Sequence, residues 1–109
     1  MILMLRDDRV IEIYESLAPL KGDVETIDIE NQEYEFCDQN GQRYVGVVTE
    51  KSGWFRSGDF ELRPEGNPDV KNALRLLDSA VALEPNEGFT DLEALRAYLL
   101  KTNHSSDPP

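Results

Sequence analysis

The spacing of apolar positions divides this 109-residue chain into four regions. In the first, Val10, Ile11, Tyr14, Leu17 and Ala18 recur at intervals of three and four, with Glu12 and Glu15 between them. That spacing places apolar side chains along one side of a helix. Asp7 or Asp8 offers a cap upstream, and Pro19 with Gly22 offers a stop downstream. The pattern predicts a helix from about Asp8 to Leu17. The same stretch contains Val10-Ile11-Glu12-Ile13-Tyr14, whose β-branched and aromatic content also suits a strand. In that case Met1–Leu5 is its hairpin partner, and periodicity alone does not separate the two readings.

The second region, Asp23 to Arg63, reads as an antiparallel sheet. Val24–Glu30 and Glu33–Asp38 alternate in part and are rich in β-branched or aromatic residues. Asn40-Gly41 is the clearest turn signal, because both residues tolerate the positive φ of a two-residue type I′ hairpin. Gln39 then faces Gln42, and Asp38, Phe36 and Tyr34 oppose Arg43, Val45 and Val47. These share one face, and Glu35, Cys37, Tyr44 and Val48 take the other. A slip of one residue exchanges the two sets. A further strand spans Asp59–Arg63, with Phe60 and Leu62 on one face. Between the strands, Gly53 and Gly58 bracket Trp54-Phe55-Arg56, either as a tight turn or as a projecting loop. Pro64 and Pro68 then end the sheet.

The third region is helical. Asn67 is placed to cap, Pro68 falls at the first helical position, and Asp69 complements the dipole. Val70, Ala73, Leu74, Leu77, Ala80, Val81 and Ala82 form an apolar stripe that predicts a helix to about Leu83. Thr90-Asp91-Leu92-Glu93 fits a capping box for a second helix, buried through Leu92, Leu95 and Leu99, with Tyr98 as a further candidate for its stripe. The short connection from Pro85 to Phe89 favours an antiparallel hairpin. Ala73, Leu77, Ala80 and Pro85 resemble the second helix of a tetratricopeptide repeat over about a dozen residues. The strand pattern before Pro64 leaves no room for that repeat's first helix, so close packing of small residues explains the spacing. The elements sum to an α+β domain over residues 1–101. It consists of an N-terminal helix, a three- or four-stranded antiparallel β-meander, and a C-terminal α-helical hairpin packed on one sheet face. The fourth region, 102–109, is polar and ends in prolines, as a flexible tail would.

Composition narrows the function classes. Lys and Arg number 11 against 22 Asp and Glu, a net charge of -11. Such a surface repels phosphate backbones and anionic lipid, so neither direct nucleic-acid binding nor membrane binding is expected. A hydrophobic content of 39% with two long periodic segments argues against a disordered acidic chain. Met1–Leu5 is too short for a signal peptide, and no stretch approaches the roughly 20 apolar residues of a membrane span. Cys37 is the lone cysteine, which fits a reducing compartment, and a cytoplasmic location is the expectation.

Candidate chemistry is sparse. With one His and one Cys there is no zinc-ligand spacing, and no glycine-rich phosphate loop occurs. No cofactor or metal is expected. Cys37 reads as a surface or half-buried residue and His104 as a solvated one. Asp23, Glu25, Asp28, Glu30, Glu33, Glu35 and Asp38 follow one another with no basic residue between Lys21 and Arg43. This run is either a solvated edge or a negative patch matched to a basic partner. Trp54, Phe55 and Arg56 are either a core anchor or an exposed contact, since Trp and Arg are enriched at binding hot spots. The expectation is a non-catalytic interaction or regulatory module. It binds a basic protein through Glu25, Asp28, Glu30, Glu33 and Glu35, the Trp54 loop, or both, and its sheet edges permit a homodimer. The alternative is a small enzyme or ligand-binding domain with carboxylates such as Glu33, Glu35, Asp38 and Asp59 in a pocket between sheet and helices.

Overall fold

The apolar run at the start of the chain forms the strand β1 (Ile2–Leu5), in the middle of a six-stranded sheet. Leu3, Met4 and Leu5 are all almost fully buried. A strand that alternates its side chains between two faces buries all of them only if both faces are covered. The computed structural model, which describes residues 1–54, 58–86 and 88–104, supplies a helical layer on each side. The molecule is α+β, with elements in the order β1, β2 (Val10–Tyr14), α1 (Leu17–Asp23), α2 (Thr26–Glu30), β3 (Glu35–Asp38), β4 (Arg43–Glu50), β5 (Asp59–Glu65), α3 (Val70–Asp78), β6 (Ala82–Leu83) and α4 (Leu92–His104). The sheet order is β5-β4-β3-β1-β2-β6, antiparallel except where β6 joins β2 in parallel.

The N-terminal helix expected over Asp8–Leu17 is instead β2. It pairs with β1 so that Leu3 faces Ile13 and Leu5 faces Ile11. The apolar β1 needs hydrogen-bonding partners on both edges, and that demand outweighs the helical spacing. Helix begins only at Leu17, and Pro19 sits in its first turn, where a missing N–H leaves no bond unmade. Val24–Glu30, expected as a strand, contains α2. Thr26 and Ile29 are buried at helical spacing, while Ile27 is 47% exposed. The expected three- or four-stranded meander is therefore a six-stranded sheet whose order crosses from β3 back to β1.

Two cores result. Met4, Tyr14, Phe36 and Phe60 pack with Leu20, Val24 and Ile29 of the α1–α2 layer. Leu3, Leu5, Ile11 and Cys37 pack with Ala73, Leu77, Leu95 and Leu99 of the α3–α4 layer. Burying one such aliphatic side chain stabilises the fold by about 1.5–3 kcal/mol.

The β3–β4 register is one residue away from the expected one: Phe36 faces Tyr44 and Cys37 faces Arg43. The turn has three residues, not two. Asp38 N–H donates to the Gln42 carbonyl at 2.9 Å, and Gly41 occupies the left-handed region at φ 82°. The Asp38 carboxylate accepts from the N–H groups of Asn40 and Gln42, each at 2.9 Å. The turn is docked as well as folded. The Gly41 carbonyl accepts from the Asp69 N–H at 3.2 Å and the Asn72 amide at 3.0 Å. Asn103 on α4 donates to the Gln39 carbonyl at 3.0 Å.

The C-terminal helices cover one face, but not as a simple hairpin. Helix α3 is capped by Asp69, which accepts from Lys71 N–H at 2.9 Å, and not by Asn67. It stops at Asp78, so Ala82–Leu83, expected as helix, adds β6 to the sheet; the N–H groups of Val81 and Glu84 donate to Arg9 and Ile11. Helix α4 is capped by Asp91, one residue past Thr90, through a 2.8 Å bond from Ala94 N–H. Residues 102–104, expected in the tail, form its last turn, and 105–109 lie outside the described residues.

Gly41→Ala should lower stability by about 2 kcal/mol or more. The left-handed backbone disfavours a side chain, and the added carbon would lie 1.9 Å from the Asp69 carbonyl oxygen. A fall in the urea midpoint with an unchanged slope is the expected measurement.

Candidate functional site

Strand β4 stays with β3 for only two residue pairs, then runs on beside β5 from Val45 to Glu50. Helix α2 packs against this two-stranded ribbon. Ile29 lies so close to Gly46 that an added β-carbon would be 2.7 Å from its methyl. The outer edge of the ribbon carries Glu61, Arg63 and Pro64, which suppress further strand pairing.

The segment joining β4 to β5 holds Trp54, which is 92% exposed. Of the two readings open for it, the structure gives the exposed one, since both cores are filled by other side chains. Glu30, the last residue of α2, accepts from the Ser52 N–H and hydroxyl, each at 3.4 Å. That bond ties the acidic helix to the Trp54 segment. Glu25 and Glu30 are exposed and Asp28 half-buried on α2. Phe55 and Arg56, the other expected contact residues, lie outside the described residues.

The remaining carboxylates serve separate local tasks. Glu33 was expected to share an outer sheet face with Glu35 and Glu25. It follows α2 instead and hydrogen-bonds Asp28, and this bond between two acids is the main cause of its raised pKa. Glu35 lies 3.8 Å from Arg9. Asp38 holds the β3–β4 turn and accepts from the Tyr44 hydroxyl at 3.2 Å. Asp59 pairs with Lys21, which holds its carboxyl below the usual range; the ammonium also lies 5.4 Å from the Phe60 ring centre. An acid–base pair requires two carboxyl groups at one reacting centre, and the structure does not bring these four together.

A network missed by the sequence reading centres on Arg6. Its guanidinium binds Asp8 at 2.8 Å and Glu12 at 2.5 Å. Glu12 in turn accepts from the Tyr14 hydroxyl, whose pKa rises through burial first and this bond second. The signal was the hairpin itself, since the β1–β2 pairing puts Arg6 and Glu12 near one another. Among the described residues no group of three or more His, Cys, Asp or Glu is arranged to hold a metal ion. No helix among them is long and apolar enough to cross a membrane.

Cys37, expected near the surface, is only 1% exposed. Its face of β3, shared with Leu3 of β1, is covered by the α3–α4 layer, and burial pushes its thiol up from 9.0 to about 12. A thiol needs ionisation and access to react. Alkylation of Cys37 should therefore be slow in the native protein and accelerate on unfolding. The unfolded thiol releases its proton first, so the linked stability is complete below the ordinary value of 9.0 and is lost as pH rises towards about 12. Urea denaturation across that window should show a steeper alkaline loss for the wild type than for Cys37→Ala.

No protein family, curated protein or solved structure matches this chain, so the functional reading stands on the geometry of its own residues.

Proposed function

We propose that this chain is a non-catalytic protein-interaction module that takes a basic protein partner on the surface formed by Trp54 and the carboxylates of α2. The observation that carries the reading is the 92% exposure of Trp54. A fully exposed indole wastes its apolar area in water, whereas at an interface it is among the residues most enriched at hot spots. Glu25, Asp28 and Glu30 lie along α2 and its N-cap, and the bond from Ser52 to Glu30 ties the C-terminal end of that helix to the indole segment. A net charge of -11 extends the attraction beyond the contact itself. It speeds encounter with a basic surface and discourages acidic competitors. Charge supplies steering and selectivity, while the indole supplies the desolvated centre.

The test is affinity capture from the source cell at low and high salt, with Trp54→Ala and the triple variant Glu25→Lys/Asp28→Lys/Glu30→Lys in parallel. A protein held by the wild type should be lost with either variant and released by salt. Trp54→Ala should weaken a purified complex by about 30-fold or more, the size of a hot-spot truncation. The same variant should change folding stability by less than about 0.5 kcal/mol, because it removes no core contact. Retention of the binder by both variants overturns the proposal.

A further inference from the structure

Where β4 leaves β3, the sheet opens into a cavity of about 610 Å³, within the usual size of a small-molecule site. Ile29 of α2 lines it from one layer, and Arg75 and Leu76 of α3 from the other. Phe36 and the rings of Tyr34 and Tyr44 supply further apolar surface. The Tyr34 and Phe36 rings lie 6.2 Å apart, centre to centre.

The charges around this space do not cancel evenly. Arg43, on the wall, lies 3.9 Å from Glu65, which lines the same cavity. Glu35 is turned to Arg9 at 3.8 Å. Arg75 forms no ion pair with any described residue. Among the described residues that line the cavity, the Arg75 guanidinium is left beside the Tyr34, Phe36 and Tyr44 rings and the polar side chains of Gln32, Asn72 and Ser79. An exposed guanidinium with no ion pair among the described residues, at a cavity lined by both aromatic and polar side chains, suits a planar monoanion that it can grip through two parallel bonds. A phosphate dianion fits poorly. Glu35 and Glu65 stand nearby, and the N-terminus of α3 is already satisfied by its own Asp69.

We infer that this cleft binds a small organic monocarboxylate with an aromatic or branched aliphatic body, gripped by Arg75. The site uses none of the Trp54 surface and stands or falls separately from it.

The probe is phenylacetate, titrated into the isotope-labelled full chain and followed by amide NMR, with phenethylamine and inorganic phosphate as counter-probes. Phenylacetate should give saturable shifts at Gly46, Asn72 and Leu76, and neither counter-probe should match it. Arg75→Ala should weaken binding at least tenfold while its remaining spectrum stays native. Arg63→Ala, which removes a charge from the far edge of the ribbon, and Trp54→Ala should bind as the wild type does. Shifts that do not saturate, equal response to phenethylamine, or wild-type affinity in folded Arg75→Ala would each overturn the assignment.

Discussion

Burial of β1 on both of its faces is the constraint from which the rest of the architecture follows. Leu3 and Leu5 point into one core and Met4 into the other. Neither half of the chain can satisfy such a strand alone. The segment after β2 provides α1 and α2 for one face, and the C-terminal half provides α3 and α4 for the other. Both strand edges are also occupied, by β2 and β3. A short chain therefore devotes its central strand entirely to cohesion. Its exposed features, Trp54 among them, are left to the periphery, where packing constrains them less.

The departure of β4 from β3 shapes that periphery. Had the pairing continued, the strands would have closed the cavity, and α2 would have met a flat sheet. Instead Ile29 settles over Gly46. That contact holds α2 along the ribbon and brings Glu30 to Ser52. The turn preceding β4 is held just as firmly, because both α3 and α4 bond its carbonyls. The split is thus fixed at each end, with the turn clamped by two helices and the ribbon braced by a third. An opening framed by packed elements is better suited to a defined ligand than one framed by loops.

What could be read from the sequence divides along the same physical line. Phe60 and Leu62 were assigned correctly to one face because an edge ribbon obeys a local period of two. The two C-terminal helices were legible from their apolar stripes and acidic caps, although Asp69 and Asp91 cap where Asn67 and Thr90 were expected. The failures lie where distant segments decide. Val10–Tyr14 carries both helical and strand spacing, and only the partner strand at Ile2–Leu5 breaks the tie. Thr26 and Ile29 become helical because a layer is needed over Met4 and Phe36. The β3–β4 register depends on Asp69 meeting Gly41, a contact across 28 positions that no hairpin rule contains. Cys37 is buried for another non-local reason, because the α3–α4 layer from the far end of the chain covers its face of β3.

The candidate sites were legible in unequal measure, and the reason is electrostatic. Trp54 could be singled out because a lone tryptophan between glycines admits only burial or display, and the filled cores leave display. The acidic run looked like one continuous patch in sequence, but the fold distributes it. Asp38 is consumed by a turn, Glu35 by Arg9, and Glu33 by Asp28, while Glu25 and Glu30 remain outward on α2. In a chain with twice as many acids as bases, carboxylates carry little positional information, since most positions can tolerate one. Guanidinium groups carry far more. Arg6, Arg9, Arg43 and Arg96 each lie against a carboxylate, as a surplus of acids requires. Arg75, beside the cavity, departs from that pattern among the described residues, and in so acidic a background such an exception is the more informative position to test.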